Sequence, residues 1–392
     1  MTGAAAPDGA SLRRRLATGL RLRPRKLDRD QIAPLQFLRG VAASGVVIEH
    51  LLERYARRGA IPGGLPEFTS KLGQTGVATF FAISGFIMVY ISLRDDRRPP
   101  TGPAFLRSRY LRIAPLYYLM TLVIIAFGWV THAFGTDPAY RLPNATELIL
   151  SFGFVPHRGV NGLIQPIYGL GWTLHYEMFF YLLFAVGLSL WARRGAFLVL
   201  GVLALLVLAG TRIDAPPDML GLRIIAYVFT RPIMGYFAIG ILIALVRHRF
   251  WSRLPVLPVP AMVAILLVAL AVAALDVGEP VTMLAVAVAL GVTVLPSAPA
   301  SPDREPGAVS AFSRAFGEAS YSIYLTHSFL LGAFASATAS IAGRGAPALV
   351  AMTMLACAVC FAAGWLTWRL VELPLADWLR GRRVSKVELV AP

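Results

Sequence analysis

The sequence predicts an all-α polytopic membrane protein with about ten transmembrane helices and both termini in the cytoplasm. Three observations carry that prediction. Hydrophobic residues make up 57% of the 392 and charged residues only 15%, where soluble domains carry about 25% charged. Several apolar runs approach the ~20 residues that cross a bilayer. Arginines gather in alternate loops, as expected where cytoplasmic loops retain positive charge.

Hydropathy places the spans near 34–52, 75–93, 110–133, 170–191, 195–211, 222–246, 256–275, 280–297, 319–340 and 346–372. The stretch 144–156 is apolar but short, which suits an interfacial or re-entrant piece. The even-numbered span ends carry Arg94, Arg97, Arg98 and Arg107, then Arg193 and Arg194, then Arg247, Arg249 and Arg253, and finally Arg380, Arg382, Arg383 and Lys386. The intervening loops are poorer, except 53–74 with Arg54, Arg57, Arg58 and Lys71. This alternation fits ten spans, and an eleventh would break it. Pro296, Pro299, Pro302 and Pro306 mark 298–318 as the main cytoplasmic linker. No internal repeat is evident, which counts against a transporter built from inverted halves.

Residues 1–32 read as a basic cytoplasmic tail, 33–376 as the membrane domain and 377–392 as a second basic tail. No apolar stretch follows the N-terminal charges closely enough for a cleaved signal peptide. The net charge of +16 reads as topology and contact with anionic lipid, not as nucleic-acid binding. Cys357 and Cys360 lie in an apolar run without a neighbouring histidine, so they read as small helix residues and no metal site is expected.

A charged side chain is costly inside a bilayer and by default marks function. Arg39 and His50 lie on one apolar helix and share a face, about 16 Å apart along the axis. Anchoring at the two interfaces would also place them there. Glu177 lies two turns into its span, with Thr173 and Tyr181 on its face and His175 on the opposite side. Its structural alternative is a hydrogen bond between helices; its functional one is ligand orientation or proton transfer. Tyr321, Tyr324 and His327 recur every three residues and line one stripe. An interface belt accounts for the tyrosines but not for His327. Arg109 and Arg112 project together before the third span, where guanidinium forks either bind phosphates or signal topology. Ser84-Gly85, inside Phe80 to Phe86, permits close helix approach. A Ser84 nucleophile would need a base that nothing local supplies.

Taken together, the motifs resemble the acyltransferase 3 family. They are Leu38-Arg39-Gly40 with His50, Phe80-Phe81-x-x-Ser84-Gly85-Phe86, Arg109-x-x-Arg112 with Ile113 and Pro115, Gly171-Trp172-Thr173-Leu174 with Glu177, Tyr321-Ser322-Ile323-Tyr324-Leu325-x-His327 and Val371-Glu372-x-Pro374. They come in the family's order across residues 36–374, and the wording of 171–184 is most similar to the exopolysaccharide-production branch. The resemblance implies a multi-pass O-acyltransferase of the cytoplasmic membrane. It would move an acetyl, succinyl or similar group from an acyl-CoA-type co-substrate, with no bound cofactor, to a hydroxyl of an exopolysaccharide or other envelope glycan. Polysaccharide-synthesis proteins would be its protein partners. His50 is then the catalytic histidine, with Arg39 and Glu177 required beside it. Arg109 and Arg112 would bind the donor, and Ser84, Trp172, His175, Tyr321, Tyr324 and His327 would line the site. The chain departs from the pattern at His175, where this branch has Asn, and at Glu49, where the family has an uncharged residue.

Acyl transfer to a hydroxyl needs a base, oxyanion stabilisation and donor positioning. An imidazole titrates near neutrality and suits the base role of His50. Arg39 is no base and offsets anionic charge instead. Glu177 is expected to orient His50 or balance its protonated form, as carboxylates do in triads. Direct attack by the sugar and an acyl-His50 intermediate both stay open. The competing readings are a transporter or flippase for a glycan or its lipid-linked precursor, and a membrane scaffold.

Overall fold

The computed structural model describes residues 32–61, 65–93, 98–135, 141–159, 161–216, 220–250, 259–275, 278–295 and 308–379. The two basic tails, up to residue 31 and from residue 380, lie outside the described residues, as does the linker stretch 298–307. Fourteen α-helices follow in chain order among the described residues. They are α1 (Ala33–Arg57), α2 (Leu65–Ser92), α3 (Gly102–Ala133), α4 (Ala145–Phe152), α5 (Trp172–Trp191), α6 (Gly195–Gly210), α7 (Leu222–Phe229), α8 (Met234–Phe250), α9 (Val259–Ala274), α10 (Glu279–Val294), α11 (Ala308–Glu318), α12 (Ser320–Ala342), α13 (Ala346–Thr367) and α14 (Leu373–Leu379). A π-turn, Trp368–Glu372, joins the last two. No strand occurs among the described residues, only an isolated bridge between Arg158 and Ile164.

Each expected span falls on a helix, part of one or, at 222–246, a pair, yet fewer than ten qualify to cross a membrane among the described residues. Six helical runs there are long and apolar enough, or seven if α7 and α8, bent by 43° at their junction, count as one span. Helices α5 and α6 join into a single apolar run, Gly169–Gly210. They fold back on each other where Ala192 takes φ 45°, with Gly195 against Gly187. The segments expected at 256–275 and 280–297 become α9 and α10, each of 16 residues. Such a helix is about 24 Å long, short of a ~30 Å hydrocarbon layer. The piece at 144–156 forms the eight-residue α4, its start fixed by a capping box between Asn144 and Glu147.

Small residues let these helices meet closely without the hydrophobic drive that water supplies. A Cβ on Gly85 would lie 2.2 Å from the Phe237 carbonyl oxygen, and one on Gly240 would lie 1.9 Å from that of Ala82. Helices α2 and α8 therefore cross backbone to backbone. Helix α1 runs along the other side of α2, and α12 packs between α1 and α13. One apolar core gathers around α2, α3, α5 and α8. A second fills the space among α1, α12 and α13. Arg39, Arg109, Arg112, Glu177 and His50 open onto the seam between the two cores. Outward, exposed Phe127, Leu190, Leu205 and Met354 give the bundle an apolar rim of the kind lipid covers.

Candidate functional site

Two cavities open along that seam. The inner one, of about 140 Å³, is lined by Arg39, Ser84, Arg109, Arg112, Glu177 and Tyr321 among others. The outer one, of about 570 Å³, has His50, Glu49, Lys71, Trp172, Arg231 and Glu279 on its walls. Val77 and Tyr324 line both. Helix α1 thus offers Arg39 to one cavity and His50 to the other, since three turns separate them.

The inner cavity is built on charge that several helices share. Glu177 accepts a hydrogen bond from Ser84 Oγ at 3.0 Å and another from the Tyr181 hydroxyl, one helical turn away. Tyr181 is the i+4 neighbour expected on that face. Thr173, the i−4 neighbour, turns instead to the Tyr324 hydroxyl at 3.1 Å. Arg39 donates to Gln36 Oε1 at 3.1 Å. At the far wall Arg112 pairs with Glu372, whose other oxygen accepts from Ser322 Oγ at 2.6 Å. Arg109 holds its guanidinium 5.7 Å from the Phe105 ring, and Tyr321 donates to the Ile113 carbonyl at 2.7 Å. The cavity lining so combines three arginines with one carboxylate, Glu177, while Glu372 stands behind Arg112, an arrangement able to receive a polyanion along one wall.

The outer cavity is where imidazole meets open space. His50 stacks on His327, ring centroids 5.2 Å apart and planes 19° from parallel. His327 is fully buried. Its Nδ1 lies 3.2 Å from the Ile323 carbonyl, which can only accept, so Nδ1 carries a proton and Nε2 is left facing the ring's other side. That Nε2 has no hydrogen-bond partner in the described protein. His50 Nδ1 stands 3.8 Å from the Glu49 carboxylate, within ion-pair range whenever the ring is protonated. Aromatic faces complete the cavity, with Trp172 edge-on to Tyr176 at 5.9 Å.

The expected residues therefore divide. Arg39, Ser84, Arg109, Arg112, Glu177 and Tyr321 come together in the inner cavity, His50 and Trp172 in the outer one, and Tyr324 stands between. His327 lies directly beneath His50. Glu177 is hydrogen-bonded to Ser84 and Tyr181, not to His50, because it projects to the inner side of the shared wall. His175 lines neither cavity; it is buried on the far face of α5, 6.5 Å from the His157 ring. The partner that Ser84 lacked locally is Glu177, 93 residues away. Glu372 was not singled out as a site residue. A carboxylate in the last apolar helix was the available signal, and its pairing with Arg112 across 260 residues is what the fold adds.

A family model described as an acyltransferase domain matches residues 32–368. The exopolysaccharide production protein ExoZ of Rhizobium meliloti (strain 1021) is 36% identical over 324 residues, covering 80% of this chain and 93% of the relative. No solved structure matches.

Proposed function

The chain belongs to the acyltransferase 3 family, and from that premise we propose that it carries an acyl group from an acyl-CoA-type thioester to a hydroxyl of an exopolysaccharide or other envelope glycan. The chain is a multi-pass membrane acyltransferase; its donor, its acceptor and its place in the cytoplasmic membrane are our reading. The observation that carries the reading is the paired cavity, arginine-lined on one side and histidine-bearing on the other.

The inner cavity is narrow, about 140 Å³, and suits an extended arm better than a bulky head. Arg109 and Arg112 would grip the donor's phosphates at its cytoplasmic mouth while the arm points toward Tyr324. Orientation follows from the loop arginines, which assign the Arg39 end of α1 to the cytoplasm and the His50 end to the outside. The acceptor would enter the outer cavity. There a sugar ring can lie on aromatic faces and hydrogen-bond to the charged rim.

In the reaction the thioester C–S bond breaks and an ester C–O bond forms. His50 takes the hydroxyl proton and passes it to the departing thiolate. His327 buttresses the ring, since two cations so close in a buried setting would repel strongly. Arg39 offsets negative charge on the donor side. Glu177 balances Arg39 and fixes Ser84 and Tyr181, a different task from holding the histidine.

Mass spectrometry of the producer's glycan, with and without this protein, tests the proposal. Loss of ester groups from an otherwise normal glycan is the expected result. Loss of the glycan itself would mean transport or scaffolding and would overturn it.

A further inference from the structure

We infer that Val77 and Tyr324 form a septum between the two cavities and that the Val77 side chain sets the largest acyl group the enzyme accepts. The inference rests on the acyl-transfer reading and adds the residue that decides acyl size.

These two residues are shared by the linings of both cavities. Tyr324 is the rigid half. Its hydroxyl is tied to Leu170 O at 3.0 Å and Thr173 Oγ1 at 3.1 Å, and its ring meets Phe80 edge-on at 6.3 Å. Val77 is the apolar half, on α2, 7% exposed, with a branched side chain that keeps essentially one rotamer in a helix. A thioester held from Arg109 and Arg112 reaches His50 only past this pair. At the moment of transfer its acyl tail lies against the Val77 side of the septum. Neither residue makes or breaks a bond: the C–S bond still breaks, the C–O bond still forms and the hydroxyl proton still leaves through His50. Against a fixed apolar wall one methylene changes discrimination by roughly 10–200-fold. Val77 is therefore a specificity-determining residue.

The test uses the full chain in lipid nanodiscs with a soluble exopolysaccharide acceptor. Acetyl-, propionyl-, butyryl- and hexanoyl-CoA are offered in turn, and the esters formed are read by mass spectrometry. The inference expects Val77→Ala to raise the ratio of longer to shorter acyl transferred by at least about tenfold. Val77→Ile, which adds a methylene, is expected to lower it, and Val77→Thr, of the same shape, to leave it near the wild-type value. If Val77→Ala fails to fold, Val77→Ile carries the comparison alone. A chain-length profile unchanged in the folded Ala and Ile variants would overturn the inference while the acyl-transfer reading stands. A wild-type protein that moves no acyl group from any of the four thioesters or from succinyl-CoA would overturn the proposed function, and this inference with it.

Discussion

Glu372 shows how a single side chain can arrange a distant site. It is 4% exposed and joins α12, through Ser322, to α3, through Arg112. Removing one partner of a buried ion pair leaves the other uncompensated, at about 3–5 kcal/mol; Arg112, whose side chain is 29% exposed, recovers part of that in solvent. Glu372→Gln is therefore expected to weaken donor binding by freeing Arg112, seen as a raised donor KM with a smaller change in kcat. A double-mutant cycle with Arg112→Ala should be strongly non-additive. Independent, additive effects on KM would show that the pair does not act as a unit. His50 and His327 behave as a second unit. Replacing His327 with Gln removes the stacked ring while keeping a polar side chain, and we expect a tenfold or larger fall in kcat with donor KM unchanged. This residue-scale chemistry was half legible in the sequence. Periodicity put Tyr321, Tyr324 and His327 on one stripe and Tyr181 beside Glu177. It could not show that Glu177 and His50, both displayed toward the seam, open onto different cavities. That depends on how α1, α2 and α5 are rotated about their axes, and contacts between 84 and 177 or 112 and 372 leave no local trace.

At the scale of elements, the α2–α8 crossing holds the wall on which Ser84 and Val77 sit. Because a Cβ on Gly240 would meet the Ala82 carbonyl at 1.9 Å, Gly240→Ala forces two backbones apart. Overpacking of this kind costs about 1–3 kcal/mol. A lowered melting temperature in detergent, with ester formation falling in parallel, is the expected outcome; an unshifted melt would mean the crossing is looser than these distances indicate. The small-residue signal at Ser84-Gly85 announced a close approach, but not which helix would answer it. The span count exceeds the helices that qualify among the described residues for a related reason. Hydropathy registers apolar runs, and so gave α9 and α10 full spans although each has 16 residues. It placed one span near 222–246, which the structure builds as the bent α7–α8 pair. Lengths and bends are set by turns such as the one at Ala192, whose positive φ no composition window reveals.

For the whole molecule, two apolar cores bracket the seam onto which Arg39, Arg109, Arg112, Glu177 and His50 open. That distribution is what a membrane protein requires if charged groups are to avoid lipid. It also puts these arginines and the imidazole on opposite sides of one thin wall. We propose that His50, at the outer side of that wall, is the base for transfer of an acyl group delivered from the arginine side. Transfer of labelled acyl from acyl-CoA to glycan by purified protein, wild type against His50→Ala, with donor binding followed in the same samples, tests this directly. A loss of about 10²–10⁴-fold in transfer, the usual worth of a positioned general base, is expected with donor binding retained. Wild-type transfer by His50→Ala would contradict it.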